Sequence, residues 1–199
     1  MKTDNTPTGS TSPQKAAHEK SGSGSQRHGM ELDMAALRAA AQDLDDGAIT
    51  PAFGPHRDDI VRLLNGALAT ELVCVLRYKR HHFTAHGMNS PAIAAEFMVH
   101  ANEEAGHADE IAERIVQLGG EPDFSPDTLL ARSHAQYDTS TDLREMVRAN
   151  LAAERVAVES YRQMITMIGD KDPTTRRMLE GILAVEEEHA DELKDLLER

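Results

Sequence analysis

Val185-Glu186-Glu187-Glu188-His189 lies in a stretch whose apolar residues, Leu179, Ile182, Leu183, Leu193 and Leu196, recur at helical spacing. Residues three apart share a helix face, so Glu186 and His189 offer a carboxylate and an imidazole to one point in that apolar stripe. One Glu-x-x-His pair in a glutamate-rich helix is a weak signal, because a solvated charged face produces it by chance. The pair recurs upstream as Glu104-Ala105-Gly106-His107, again deep in a helical pattern. Each pair also follows a lone glutamate: Glu71 stands 33 residues before Glu104, and Glu154 stands 32 before Glu186. A spaced constellation that occurs twice is much harder to obtain by accident than a single motif.

Breakers and apolar stripes around these residues mark four long helices. The first opens after Gly54-Pro55 and runs to Gly87, with Ile60, Leu64, Ala67, Leu68, Glu71, Val75 and Tyr78 facing inward. A glutamate inside such a stripe needs a cation or a buried basic partner, since an unpaired buried carboxylate is costly or takes up a proton. Ser90-Pro91 supplies an N-cap and an N1 proline for the second helix, which passes through Phe97, Ala101, Glu104, Ala108, Ile111, Ile115 and Leu118 to Gly119-Gly120. The short link Gly87-Met88-Asn89 folds these two into a hairpin. A long connection over 121–141, with a short helix from Ser125-Pro126 through Leu129 and Leu130 to His134, carries the chain between opposite ends of a bundle. The third helix starts at Asp142, with Glu145 placed for a capping box, and runs through Val147, Leu151, Glu154, Val158, Tyr161, Ile165 and Ile168 to Gly169. Asp172-Pro173 opens the fourth.

The expected fold is therefore all-α: a four-helix bundle over residues 56–199 with a long crossover between its second and third helices, B and C. Residues 30–55 read as a short helix over Met30–Leu44, leaning on the bundle, and a linker. Residues 1–29, with Ser21-Gly22-Ser23-Gly24-Ser25 at their centre, have too little to bury to offset the entropy of ordering and read as a disordered tail.

Composition excludes several classes. A net charge of −13 argues against a general nucleic-acid binder, which gains affinity by neutralising phosphates, and is compatible with gathering cations. The apolar runs are too short to cross a bilayer. Cys74 is the only cysteine, so no intrachain disulfide can form, and no apolar leader opens the chain; a cytoplasmic setting is expected.

Each helix thus offers an inward acidic ligand, and two add a histidine: Glu71, Glu104 with His107, Glu154, and Glu186 with His189. Four carboxylates balance two divalent cations in charge. Oxygen donors with imidazole suit iron or manganese, and zinc also accepts them. The set resembles the di-iron carboxylate pattern of the ferritin-like superfamily, and the local sequences are similar to those of bacterioferritins and Dps-like mini-ferritins. Glu104-Ala105-Gly106-His107-Ala108-Asp109-Glu110, followed by Gln117-Leu118-Gly119-Gly120, resembles their second helix, and Glu186-Glu187-Glu188-His189-Ala190-Asp191 their fourth. The likeness covers about residues 56–199.

The resemblance implies an intrasubunit ferroxidase site at those six residues, oxidising Fe(II) to Fe(III) with dioxygen or hydrogen peroxide, and mineral storage in a hollow homo-oligomeric shell. Bacterioferritins have a tyrosine near the di-iron pair where Tyr78 stands, which implies electron donation. From the residues alone, Tyr78 reads equally as an amphipathic core residue with its hydroxyl bonded, as does Tyr161 after Glu154. Three departures matter. Ala105 stands where haem-binding bacterioferritins place a methionine, so haem is not expected. Only ten residues follow His189, too few for the fifth helix of a 24-subunit shell, which favours a dodecamer. Cys74 lacks the second cysteine of those relatives with a thiol pair near the metals, and reads as a buried filler.

Two other classes stay open: a different di-metal enzyme on the same bundle, such as a manganese catalase or peroxidase, and a DNA-protecting protein of the Dps kind. The weak basic charge of the tail counts against DNA. Glu103, Glu187, Glu188, His100 and Asp109 are available to orient the ligand histidines. His81, His82 and His86 read as either a metal entry site or a plain surface cluster.

Overall fold

The computed structural model describes residues 30–198 apart from 43 and 46, so the expected disordered tail lies outside the described residues. The chain divides into two units at Asp33/Met34; of the first, only residues 30–33 are described, exposed and without regular structure.

The second unit contains α1 (Met34–Ala40), a 3-10 turn at Pro51–Phe53, α2 (Arg57–Thr84), α3 (Ser90–Gln117), α4 (Leu129–Arg132), α5 (Leu143–Ile168) and α6 (Pro173–Glu198). Helices α2, α3, α5 and α6 are the four expected rods. Their order in space follows from what clasps their ends. Arg114, near the end of α3, donates to both oxygens of Asp172 at 2.9 Å, and Asp172 accepts from the backbone of Thr175 in the first turn of α6. At the other end Arg144, opening α5, donates to the carbonyl of Leu197. Helices α3 and α5 therefore run one way, α2 and α6 the other. That arrangement requires the crossover at residues 118–142 to travel the bundle's full length.

The crossover lies along α2. Asn65 donates to the carbonyl of Glu121, Thr70 Oγ1 accepts from the backbone of His134, Arg77 donates to the carbonyl of Gln136, and Arg80 to those of Thr139 and Ser140. Gly120 marks how closely it starts: a Cβ there would fall 2.6 Å from a Val61 methyl.

The apolar core comes in two blocks. One gathers Leu64, Leu68, Ile111, Ile115, Met164, Ile168, Leu179 and Ile182; the other gathers Cys74, Phe97, Ala101, Met146, Val147 and Leu193. Each fully buried Leu or Ile contributes roughly 1.5–3 kcal/mol. Between the blocks, at one level on all four helices, the seam is acidic.

Several local expectations change. Asn89, not Ser90, is the residue before α3, and the Ser90 hydroxyl donates to the carbonyl of Gly87. The crossover helix covers only Leu129–Arg132. Asp142 does cap α5 through the Glu145 amide, but the Glu145 carboxylate turns to Arg148 instead of closing a capping box. The buried face of α5 is Met146, Val147, Asn150, Ala153, Glu154, Ala157, Tyr161, Met164 and Ile168; Leu151, Val158 and Ile165 flank it. Helix α1 is shorter than expected and buries none of its residues; Ile49 and Phe53 pack on the core instead.

Candidate metal centre

The six sequence-predicted residues converge in the acidic middle of the seam, all from one chain. Ligand atoms of Glu71, Glu104, His107 and Glu186 lie within 4.8 Å of one another, as do those of Glu104, Glu154, Glu186 and His189. Glu104 and Glu186 belong to both groups. The α2 glutamate is thus matched with the α3 histidine, the α5 glutamate with the α6 histidine, and one carboxylate from each Glu-x-x-His pair is common to both.

The histidines aim the same atom inward. His107 Nδ1 lies 2.9 Å from Glu186, 3.3 Å from Glu104 and 3.7 Å from Glu71; His189 Nδ1 lies 3.5 Å from Glu104 and 3.8 Å from Glu186. On its far side His189 Nε2 meets Glu103 at 2.9 Å, the carboxylate–imidazole pairing that fixes ring orientation and tautomer.

Seven buried side-chain polar atoms lack a hydrogen-bond partner among the described residues. Six belong to this set: one oxygen each of Glu71, Glu104 and Glu154, both of Glu186, and Nδ1 of His189. Buried polar groups are ordinarily satisfied, so orphans gathered at one point describe a cradle for cations. The donor set, carboxylate oxygen with imidazole nitrogen, fits a pair of first-row divalent ions.

Without metal, protons take the cations' place. Burial, and then Glu104, pushes Glu71 well above the usual carboxylate range; burial with Glu71 and Glu104 does the same to Glu186, and burial with Glu104 raises Glu154. Burial opposes charge on Glu104 too, but the adjacent imidazoles of His107 and His189 prevail and hold it low. Desolvation works against a charged His107 and His189, yet the surrounding carboxylates push them up to about 12 and about 9. Metal ligation requires these groups deprotonated. Binding of Zn(II) or Fe(II) is therefore expected to release protons near neutral pH and to tighten as pH rises. Calorimetric titrations in buffers of different ionisation enthalpy will show this as buffer-dependent heats; buffer-independent heats would contradict it.

Two tyrosines hold the lone glutamates crosswise: Tyr78 of α2 donates to Glu154 of α5, and Tyr161 of α5 to Glu71 of α2. Burial, and then the adjoining carboxylates, push both phenols well above their ordinary value, so each keeps its proton and donates it. Tyr78 also has His100 Nδ1 at 3.1 Å.

The histidines at the end of α2 do not converge. His81 is buried, bonded to Asn150 and 3.1 Å from Asp138; His82 Nδ1 lies 2.6 Å from the carbonyl of Ala94, and the exposed His86 meets the carbonyl of Thr84. Buried Arg77 was not anticipated: it donates to Asn150 Oδ1 at 2.7 Å and stands 4.0 Å from Glu154. Thr70, Cys74, Arg77 and His81 recur at helical spacing as a second stripe on α2, which was the available signal. Cys74 is buried among core residues, and burial raises its thiol well above the ordinary value.

Comparison with known proteins agrees with this fold. The family model of the ferritin-like domain matches residues 61–199. Bacterioferritin of Mycobacterium tuberculosis is 33% identical over 141 residues, 70% of this chain and 84% of the relative. The nutrient stress-induced DNA-binding protein of Synechococcus sp. is 33% identical over 132 residues, 64% of this chain and 74% of the relative. Among solved structures, the dodecameric thioferritin of Bacteroides fragilis superposes with a TM-score of 0.68 at 31% identity, covering 71% of this chain and 85% of that one. Among the described residues no helix is long and apolar enough to cross a membrane. On the fold and the family match together, this chain belongs to the ferritin-like family.

Proposed function

We propose that the protein is an iron-storage and detoxification ferroxidase, with Fe(II) as substrate at Glu71, Glu104, His107, Glu154, Glu186 and His189. The observation that carries this reading is the pair of overlapping ligand groups lined with orphaned carboxylate oxygens. Glu104 and Glu186, common to both, are the residues suited to bridge two ions, and their second oxygens let them change binding mode as charge rises from Fe(II) to Fe(III). His107 and His189 each face one end of the pair. The bacterioferritin similarity supports the storage role, and the dodecameric relative supports a twelve-subunit shell over a 24-subunit one. The DNA-binding relative raises the Dps reading, against which the net charge of −13 weighs.

Tyr78 is the residue placed to supply an electron to the oxidant: its phenolic proton can pass to Glu154 along the existing hydrogen bond, and His100 bonds the same oxygen, an arrangement Tyr161 does not share among the bonds at its hydroxyl. Freeze-quench EPR after mixing Fe(II)-loaded protein with dioxygen is expected to show a tyrosyl radical that Tyr78→Phe removes and Tyr161→Phe retains. A signal surviving in Tyr78→Phe would reassign the donor.

The reading as a whole is tested by oxygen consumption on Fe(II) addition, followed by size-exclusion light scattering. Oxygen uptake with growth of a mineral-loaded shell is expected. Peroxide dismutation with Mn(II), and no Fe(II) oxidation, would move the assignment to a catalase-type di-metal enzyme.

A further inference from the structure

His100 is fully buried one turn before Glu104 on α3, yet it belongs to neither ligand group with the shared carboxylates. Its ring stacks on His189 with centroids 4.1 Å apart. Nδ1 lies 3.1 Å from the Tyr78 hydroxyl, and Nε2 lies 3.0 Å from Glu192 and 3.6 Å from Glu96.

The Tyr78 hydroxyl donates to Glu154, and His100 Nδ1 meets the same oxygen, which turns the opposite edge of the ring towards α6 and the surface. There Nε2 meets two carboxylates: ligand atoms of Glu96, His100 and Glu192 all fall within 4.8 Å of one another, a set of one buried imidazole and two acids.

The surroundings favour a metal ion arriving from solvent. Glu96 and Glu192 also line a cleft of about 280 Å³ with Ala92, Asp195 and Leu196, so the residues described there include three acids and no base. His189 contributes nothing to this group, because its Nε2 is held by Glu103 and its Nδ1 faces the central carboxylates.

We propose that Glu96, His100 and Glu192 form a third divalent-cation site beside the central pair, open to the acidic cleft and taking a first-row ion such as Fe(II), Co(II) or Zn(II). One imidazole and two carboxylates satisfy such an ion only in part, which makes this the weak, exchangeable site of the three. A cation captured there lies against the His100–Tyr78–Glu154 chain and next to the ring of His189. The proposal rests on the di-metal reading, since it sets a third ion beside that pair.

The test uses the full-length protein, with Zn(II) as probe. Calorimetric stoichiometry is expected to give three equivalents per chain, falling to two in Glu96→Gln with Glu192→Gln. Both side chains lie at the surface, so the fold tolerates the change. Anomalous diffraction from Zn(II)-soaked crystals is expected to place two peaks among the six central residues and a third between Glu96, His100 and Glu192. Two central peaks with no third, or three equivalents that survive the double substitution, would overturn this site and leave the central pair standing. Empty density among the six central residues would overturn the di-metal reading, and this inference with it.

Discussion

Rapid Fe(II) oxidation is expected to vanish when Glu104 and His107 are both replaced by alanine. Glu104 is common to both ligand groups, so its loss takes an oxygen from each position, and His107 is the only imidazole in the group with Glu71. Loss of an outer partner alone weakens a metal site about 10–100-fold; removing a shared ligand and a terminal one should exceed that. The initial oxygen-uptake rate is therefore expected to drop by more than about 100-fold. Helix content should hold by far-ultraviolet circular dichroism. Alanine is the best helix former, and α3 is anchored elsewhere by Phe97, Ala101, Ile111, Ile115 and the Arg114–Asp172 clasp. Turnover at the native rate in a folded variant would show that oxidation takes place elsewhere.

The largest expected effect on stability lies off the metal ligands, at Arg77. Burial disfavours its charge, but the carboxylate of Glu154, 4.0 Å away, works the other way and the guanidinium stays protonated. It joins three elements: its own helix, Asn150 of α5 and the carbonyl of Gln136 in the crossover. Asn150 in turn donates to His81, whose Nε2 lies 3.1 Å from Asp138 of the same crossover. Arg77→Ala leaves a void and uncompensated groups around Glu154, for which the expected cost is about 3–5 kcal/mol. For a bundle of this size that corresponds to a fall in melting temperature of roughly 6–20 °C, read by calorimetry on the metal-free protein. A shift below about 2 °C would mean that the clasp between crossover and bundle contributes little.

These two predictions differ in how far each could be read from residues alone. Glu104 and His107 belong to a pattern that is local in sequence. Three positions along a helix fix a shared face whatever the rest of the chain does, and the second copy at Glu186 and His189 makes the pattern specific. Arg77 belongs to no such pattern. Its burial depends on which side of α2 the crossover covers, and that is decided by contacts between residues some 60 apart, such as Arg77 with Gln136 and Arg80 with Ser140. The cluster at His81, His82 and His86 shows the same limit. Consecutive residues on a helix point in different directions, which separates His81 from His82, and His86 lies beyond the end of α2, so three histidines close in sequence end in three unrelated environments.

The sequence by itself determined the four rods, the hairpins, the crossover and the six side chains at their common level, because helical periodicity and chain breakers act over a few residues. Only the tertiary structure decided that Glu104 and Glu186 are the shared carboxylates, that each tyrosine bonds the glutamate of the opposite helix, that Glu103 holds His189, and that Glu192 of α6 meets His100 and Glu96 of α3. Those facts depend on the rotation and offset of one rod against another. These are set by how side chains from distant segments interlock, as where Tyr78 and Tyr161 reach between α2 and α5.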